Sequence, residues 1–166
     1  MVDDDLTLAA QRVFAACKMA GNASIATAES CTGGLISAAL TAVPGSSAWF
    51  ERGFITYSNA AKTDLLGVAS ELIASLGAVS KEVAIAMAEG ALARSPVTAA
   101  VAVTGIAGPD GGTQEKPVGL VHIAAARKNA PSRHERHLFP GERDAVRRAT
   151  ALAALALLEN ILGDRP

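Results

Sequence analysis

The spacing of apolar residues changes repeatedly along the chain, and each change marks a switch between helix and strand. Over residues 4–20, Leu6, Leu8, Ala9, Val13, Ala16 and Ala20 fall near one face of a helix. Gly21-Asn22 ends it. Residues 24–28 suit a short strand, and residues 32–42 a helix closed by the turn Pro44-Gly45-Ser46. In residues 49–57, Phe50, Arg52, Phe54 and Thr56 alternate with Glu51, Gly53, Ile55 and Tyr57, which predicts a strand. Short helices follow over 59–66 and 70–76. Ser80 is a good N-cap for a helix over 81–94, in which Val83, Ala84, Met87, Ala88 and Ala91 mark one face. Residues 97–103 and 118–126 are nearly continuous apolar runs, which suits strands buried on both faces. Residues 133–139 suit an edge strand. Beyond Pro140-Gly141 a long helix covers 142–162, with Glu142 and Asp144 at the positive end of its dipole.

Helices interleave with strands throughout, which predicts one α/β domain with helices on both faces of a sheet. The strand at 49–57 is expected to pair antiparallel, making the sheet mixed. Ligands in such folds sit beyond the carboxyl ends of strands. Two loops meet that description, one starting at Glu29 and one at Thr104.

Composition refines this picture. The 166 residues are 50% hydrophobic but only 4% aromatic, so the core must pack through Ala, Val, Leu and Ile. A chain of this length buries about two-thirds of its unfolded surface and needs no staples. The net charge of −1 offers nucleic acid no global field. Arg133, Arg136, Arg143, Arg147 and Arg148 form a basic cluster, but acidic residues interrupt it and it reads as local. Asp3-Asp4-Asp5 reads as a solvated helix start. Cys17 and Cys31 form no Cys-x-x-Cys pair, and two thiols make no metal cage. A reducing compartment is the natural reading. No signal-peptide pattern opens the chain, and no uncharged apolar run reaches the roughly 18 residues needed to span a bilayer. The expectation is a cytoplasmic protein without membrane or nucleic-acid partners.

Ser30 lies between a strand and a helix. The following Thr32, Gly33 and Gly34 are expected to leave backbone N–H groups free at a helix N-terminus, where they can hold an oxyanion. A hydroxyl there could attack a carbonyl. A helix-capping serine explains the same placement without catalysis. Cys31 is a rival nucleophile, intrinsically better at attack. His122, His134 and His137 offer no recognisable triad; His122 reads as a packed or hydrogen-bonded strand residue, and His134 and His137 fall on opposite faces of an edge strand. Lys62, shortly after Tyr57-Ser58-Asn59, could act as a base only if burial or positive charge lowered its pKa. The ordinary alternative is a solvated lysine. Residues 104–113 form a glycine-rich loop that is neither a P-loop nor a dinucleotide fingerprint, yet suits a binding loop to which Thr104 adds a hydroxyl. Arg143 and Arg147 share a helix face and could read phosphate, or salt-bridge to Glu142 or Asp144.

Several segments, taken together and in order, resemble the CinA C-terminal domain family. They are Ala28-Glu29-Ser30-Cys31-Thr32-Gly33-Gly34, Gly45-Ser46-Ser47-Ala48-Trp49-Phe50, Gly53 through Lys62, Gly105-Ile106-Ala107-Gly108-Pro109-Asp110-Gly111-Gly112, and Gly141 through Arg147. The resemblance spans nearly the whole chain. It implies a single three-layer α/β/α domain over residues 1–166 with a mixed, largely parallel sheet. It also implies hydrolysis of the carboxamide of nicotinamide mononucleotide to nicotinate mononucleotide and ammonia, a step of pyridine-nucleotide salvage. Ser30 matches the family's nucleophile, Lys62 its base and Tyr57 its Tyr-Ser-Asn tyrosine. Thr104 stands where the family has Ser or Thr. Longer relatives carry a further N-terminal domain, and this chain resembles the stand-alone form.

The resulting expectation is a Ser/Lys amidohydrolase without cofactor or metal. Tyr57 and Thr104 orient Lys62 or relay a proton. Glu29, Cys31, Thr32, Gly33, Gly34, Asn59, Gly105, Arg143 and Arg147 contact a pyridine mononucleotide. The partner expectation is a homo-oligomer, taken as a dimer. Two alternatives stand beside it: a Cys31-dependent amidase for another small amide, and a non-catalytic nucleotide-binding or regulatory module linked to competence or DNA damage.

Overall fold

Helix α1 (Asp4–Met19) starts where the Asp3 carboxylate accepts the Leu6 N–H at 2.9 Å. Asp3 also pairs with Arg148, so this acidic start is tied down rather than free in solvent. The computed structural model describes residues 2–164. After α1 come β1 (Ile25–Glu29), α2 (Leu35–Thr41), β2 (Phe50–Ile55), α3 (Asn59–Leu66), α4 (Ser70–Leu76) and α5 (Lys81–Ala93). The chain continues with β3 (Ala99–Gly105), β4 (Leu120–Arg127), β5 (Arg133–Leu138) and α6 (Arg143–Gly163). Ser58 caps α3 through the Ala61 N–H, and Ser80 caps α5 through the Val83 N–H. Caps of this kind each contribute about 1 kcal/mol.

The five strands form one mixed sheet in the order β2-β1-β3-β4-β5. β2 runs parallel to β1, not antiparallel as the alternation at 49–57 suggests. The connection between them carries helix α2, and a helical crossover returns the chain in the same direction. The reversed strand is β4, antiparallel to both β3 and β5. A helix-free loop joins β3 to β4, so the chain folds straight back. Four strands therefore point one way, and β1, β2, β3 and β5 end at the same edge of the sheet.

Register explains the low aromatic content. Ala26, Ala100 and Ala126 lie side by side across β1, β3 and β4, and Ala28, Ala102 and Ala124 form the next row. This face packs against Val83, Ala84, Met87 and Ala88 of α5. The opposite face carries Ile25, Val101, Val103, Val121 and Ile123 and packs against α1, α2 and α6. The result is a three-layer α/β/α domain, and in the layer under α5 the contact surface is one methyl group deep.

Helix α2 begins at Leu35, three residues later than the pattern suggests. Gly33 and Gly34 sit at φ +59° and +100°, a left-handed region that cannot continue a right-handed helix. Residues 30–34 instead make a tight turn between β1 and α2.

Candidate active site

The cleft at the strand ends is assembled by the segments that follow β1, β2 and β3, together with α3 and α6. It has a volume of about 300 Å³, and its lining includes Ser30, Cys31, Tyr57, Lys62, Thr104 and Arg143. That size is at the small end of small-molecule pockets. A wider groove of about 760 Å³ lies between the C-terminal ends of α1 and α6, but among the described residues it has no nucleophile beside a base, and it opens at the other edge of the sheet.

Ser30 follows β1 directly, and its N–H extends the ladder to the Val103 carbonyl at 3.1 Å. Lys62 lies in the first turn of α3, on the inward face that also carries Leu66. Its side chain is 1% exposed. Its Nζ meets Ser30 Oγ at 3.1 Å and donates to the Thr56 carbonyl at 3.0 Å. Among the described residues no carboxylate forms a salt bridge with it. Burial lowers the Lys62 pKa from the usual lysine value, and the nearby Cys31 partly offsets this. A solvated lysine is thus excluded.

Cys31 lines the same cleft, but burial pushes its thiol up to about 12, with a smaller contribution from the Glu29 charge. It is protonated at neutral pH and is a poor nucleophile. His122 has the packed role read from its strand: it stacks on His134, with Nδ1 to Nε2 at 2.8 Å. Burial is the main reason its pKa falls to about 4, with His134 adding to it. His137 stacks on Phe139 and pairs with Glu135.

Several of the expected contacts are arranged differently. Thr104 faces the cleft but donates its hydroxyl to the Ala78 carbonyl at 2.8 Å. The Tyr57 hydroxyl accepts from Arg143 Nη2 at 2.9 Å. Lys62 is oriented by the Thr56 carbonyl rather than by Tyr57 or Thr104. Asn59 and Gly105 line the cleft. Glu29, Thr32, Gly33, Gly34 and Arg147 do not. Strand alternation turns Glu29 toward α2 and Ser30 toward α3. The Glu29 carboxylate takes up the N–H groups of Gly34, Ile36 and Ser37, so these are not free for an oxyanion. Arg147 donates to the Thr32 carbonyl at 2.9 Å, outside the cleft. The arginine cluster is local, since Arg133 pairs with Asp164 and Arg148 with Asp3 and Asp5.

Side-chain patterns missed Thr56, whose contribution is a backbone carbonyl, and the Ala78–Val79 wall, which comes from a loop distant in sequence. Asp110, inside the glycine-rich segment, is the one carboxylate in the lining among the described residues. Among the described residues no group of three or more His, Cys, Asp or Glu is placed to hold a metal ion. No helix there is long and apolar enough to cross a membrane.

Comparison with known proteins bears on this cleft. A family model described as the CinA C-terminal domain matches residues 7–162. The nicotinamide-nucleotide amidohydrolase PncC of Escherichia coli K12 is 49% identical over 163 residues, covering 98% of both chains. PncC of Pseudomonas putida is 57% identical over 134 residues, covering 81% of this chain and 83% of the relative. The crystal structure of the competence/damage inducible protein CihA from Agrobacterium tumefaciens superposes with a TM-score of 0.94 at 47% identity, over 99% of both chains.

Proposed function

The chain belongs to the CinA C-terminal domain family, and from that premise we propose that it hydrolyses the carboxamide of nicotinamide mononucleotide, giving nicotinate mononucleotide and ammonia in pyridine-nucleotide salvage. The observation that carries this reading to the residues is the 3.1 Å contact between Lys62 Nζ and Ser30 Oγ. Relatives named as nicotinamide-nucleotide amidohydrolases supply the substrate.

A neutral amine has two hydrogens and one lone pair. The Thr56 carbonyl accepts one hydrogen, which leaves the lone pair for the Ser30 hydroxyl. Lys62 takes the proton as Ser30 Oγ attacks the carboxamide carbon. The negative charge moves to the amide oxygen. The Cys31 N–H, next after the nucleophile, donates to no backbone carbonyl among the described residues and is the oxyanion donor in this reading. Lys62 returns the proton to the leaving nitrogen, the C–N bond breaks, and ammonia departs. Water then adds to the acyl-enzyme with Lys62 again as base, releasing the carboxylate product and Ser30.

Arg143 is the phosphate contact. Two of its nitrogens are engaged, by the Gly108 carbonyl at 2.7 Å and by Tyr57, and a guanidinium offers five N–H groups. Tyr57 forms a wall beside the pyridine ring, and Thr104 offers its hydroxyl oxygen to the amide nitrogen. A cytoplasmic site suits the free thiols Cys17 and Cys31. A homodimer belongs to the same reading, consistent with the exposed Ile55 on edge strand β2.

The test is ammonia release from nicotinamide mononucleotide by the wild-type protein and by Ser30→Ala. Turnover that survives in Ser30→Ala rejects the mechanism. Tight binding of the nucleotide without ammonia release points to the regulatory alternative.

A further inference from the structure

We propose that Glu29 is a positioning residue for the nucleophile: its buried carboxylate locks the turn after β1 in the shape that keeps Ser30 Oγ against Lys62. The proposal rests on the reading that Ser30 attacks the amide.

The carboxylate is 0% exposed and gathers five hydrogen bonds. Oε1 accepts from the Ser37 N–H at 2.8 Å and the Ser37 hydroxyl at 2.7 Å. Oε2 accepts from the Thr32 hydroxyl at 2.6 Å, the Gly34 N–H at 3.0 Å and the Ile36 N–H at 3.1 Å. A buried charge is unfavourable unless hydrogen bonds replace its water, and here every donor comes from the segment just after Ser30. The first turn of α2 and the turn leading into it are thereby pinned to the end of β1.

Neighbouring groups hold the same block. The Gly33 N–H closes the turn on the Ser30 carbonyl at 3.1 Å, and Arg147 holds the Thr32 carbonyl from α6. Ser37 Oγ is also 2.8 Å from Thr27 Oγ1. Gly53 on β2 leaves room for that pair, since a Cβ there would lie 2.4 Å from Ser37 Oγ. Glu29 touches neither the cleft nor Lys62, so it acts on the reaction only through the position of Ser30.

Its negative charge is required. Five donors converge on two oxygens. A glutamine of the same shape would turn N–H groups against them, leaving donors unpaired. A displacement of about 1 Å at a reacting group can cost about 100-fold in rate.

The experiment compares Glu29→Gln with the milder Thr32→Val and Ser37→Ala, which each remove donors and keep the carboxylate. Ammonia release from nicotinamide mononucleotide is measured across pH. A fluorophosphonate probe, which needs no nucleotide, reads Ser30 reactivity separately. We expect kcat to fall about 100-fold in Glu29→Gln and about 10-fold in Thr32→Val, with KM within about threefold of wild type. Ser30 labelling should slow in parallel, and the acid limb of the kcat/KM profile should not move, because Lys62 keeps its burial and its Thr56 contact. If Glu29→Gln does not fold, the two milder variants carry the test. Wild-type kcat and labelling in folded Thr32→Val and Ser37→Ala overturn the proposal. A raised KM with unchanged kcat also overturns it and returns Glu29 to substrate binding. A wild-type protein that neither releases ammonia nor labels at Ser30 fails at the underlying reading, which is visible before any variant is made.

Discussion

Lys62 Nζ reaches back to the carbonyl of Thr56, six residues earlier, at 3.0 Å, so the residue just after strand β2 holds the amine that the following helix carries. The same nitrogen meets Ser30 Oγ. An arginine at this position would keep a permanent charge and have no lone pair to accept a proton. Lys62→Arg is therefore expected to lose about as much kcat as Ser30→Ala, on the order of 10⁴-fold or more, in steady-state ammonia release. Turnover close to wild type in Lys62→Arg rules the lysine out as the base.

The lowered Lys62 pKa has a stability counterpart. In the unfolded chain the amine titrates near 10.5; in the fold it releases its proton at lower pH. Between those two values the unfolded state binds more protons, so stability increases as pH rises through that window. The unfolding free energy of wild type minus that of Lys62→Met should therefore grow as pH rises toward 10.5 in urea melts, and level off above it. A flat difference means that folding does not lower the lysine's pKa.

Cys31 sits beside the nucleophile with its thiol held protonated. Iodoacetamide at about pH 7 should modify it far more slowly than a free thiol, which ionises near 8.5. Mass spectrometry of the labelled protein reads the rate. Rapid alkylation that abolishes ammonia release would bring back the thiol mechanism.

Arg143 holds Tyr57 on one side and the Gly108 carbonyl on the other. Removing a charged hydrogen-bonding partner of the phosphate should raise KM for nicotinamide mononucleotide about 10- to 100-fold in Arg143→Ala. Nicotinamide riboside, which lacks the phosphate, should show little change between wild type and variant. Equal effects on both substrates would give Arg143 a structural role only.

Most of the element order was legible because apolar period and caps are local properties. Asp3, Ser58 and Ser80 cap helices within three residues of themselves, and the apolar runs before Thr104 and around His122 are buried strands. Strand direction was less accessible. The alternation in β2 describes which way side chains point and says nothing of its neighbour's direction; the intervening α2 was the better guide. In the site, Ser30 and Lys62 were legible as a pair only through the family resemblance, since their 3.1 Å contact spans thirty-two positions. Glu29 was readable in principle, because Ile25, Thr27 and Glu29 share one face of β1 and that face meets α2. Taking Gly33-Gly34 as a helix start obscured it. Backbone contributors such as the Thr56 carbonyl have no residue-type signal at all.

The paired rows of alanine under α5 also set the width of the cleft. Ala78 and Val79 lead into that helix through Ser80, and Thr104 bolts the Ala78 carbonyl to the sheet. The distance between this wall and Ser30 is therefore gauged by the height of single methyl groups, as a shim sets the opening of a vice. A valine in place of Ala102 would lift α5 and its leading segment together. The room available to a substrate is in this sense a dimension of the core, and refitting the cleft to a bulkier amide would have to begin several residues away from anything the amide touches.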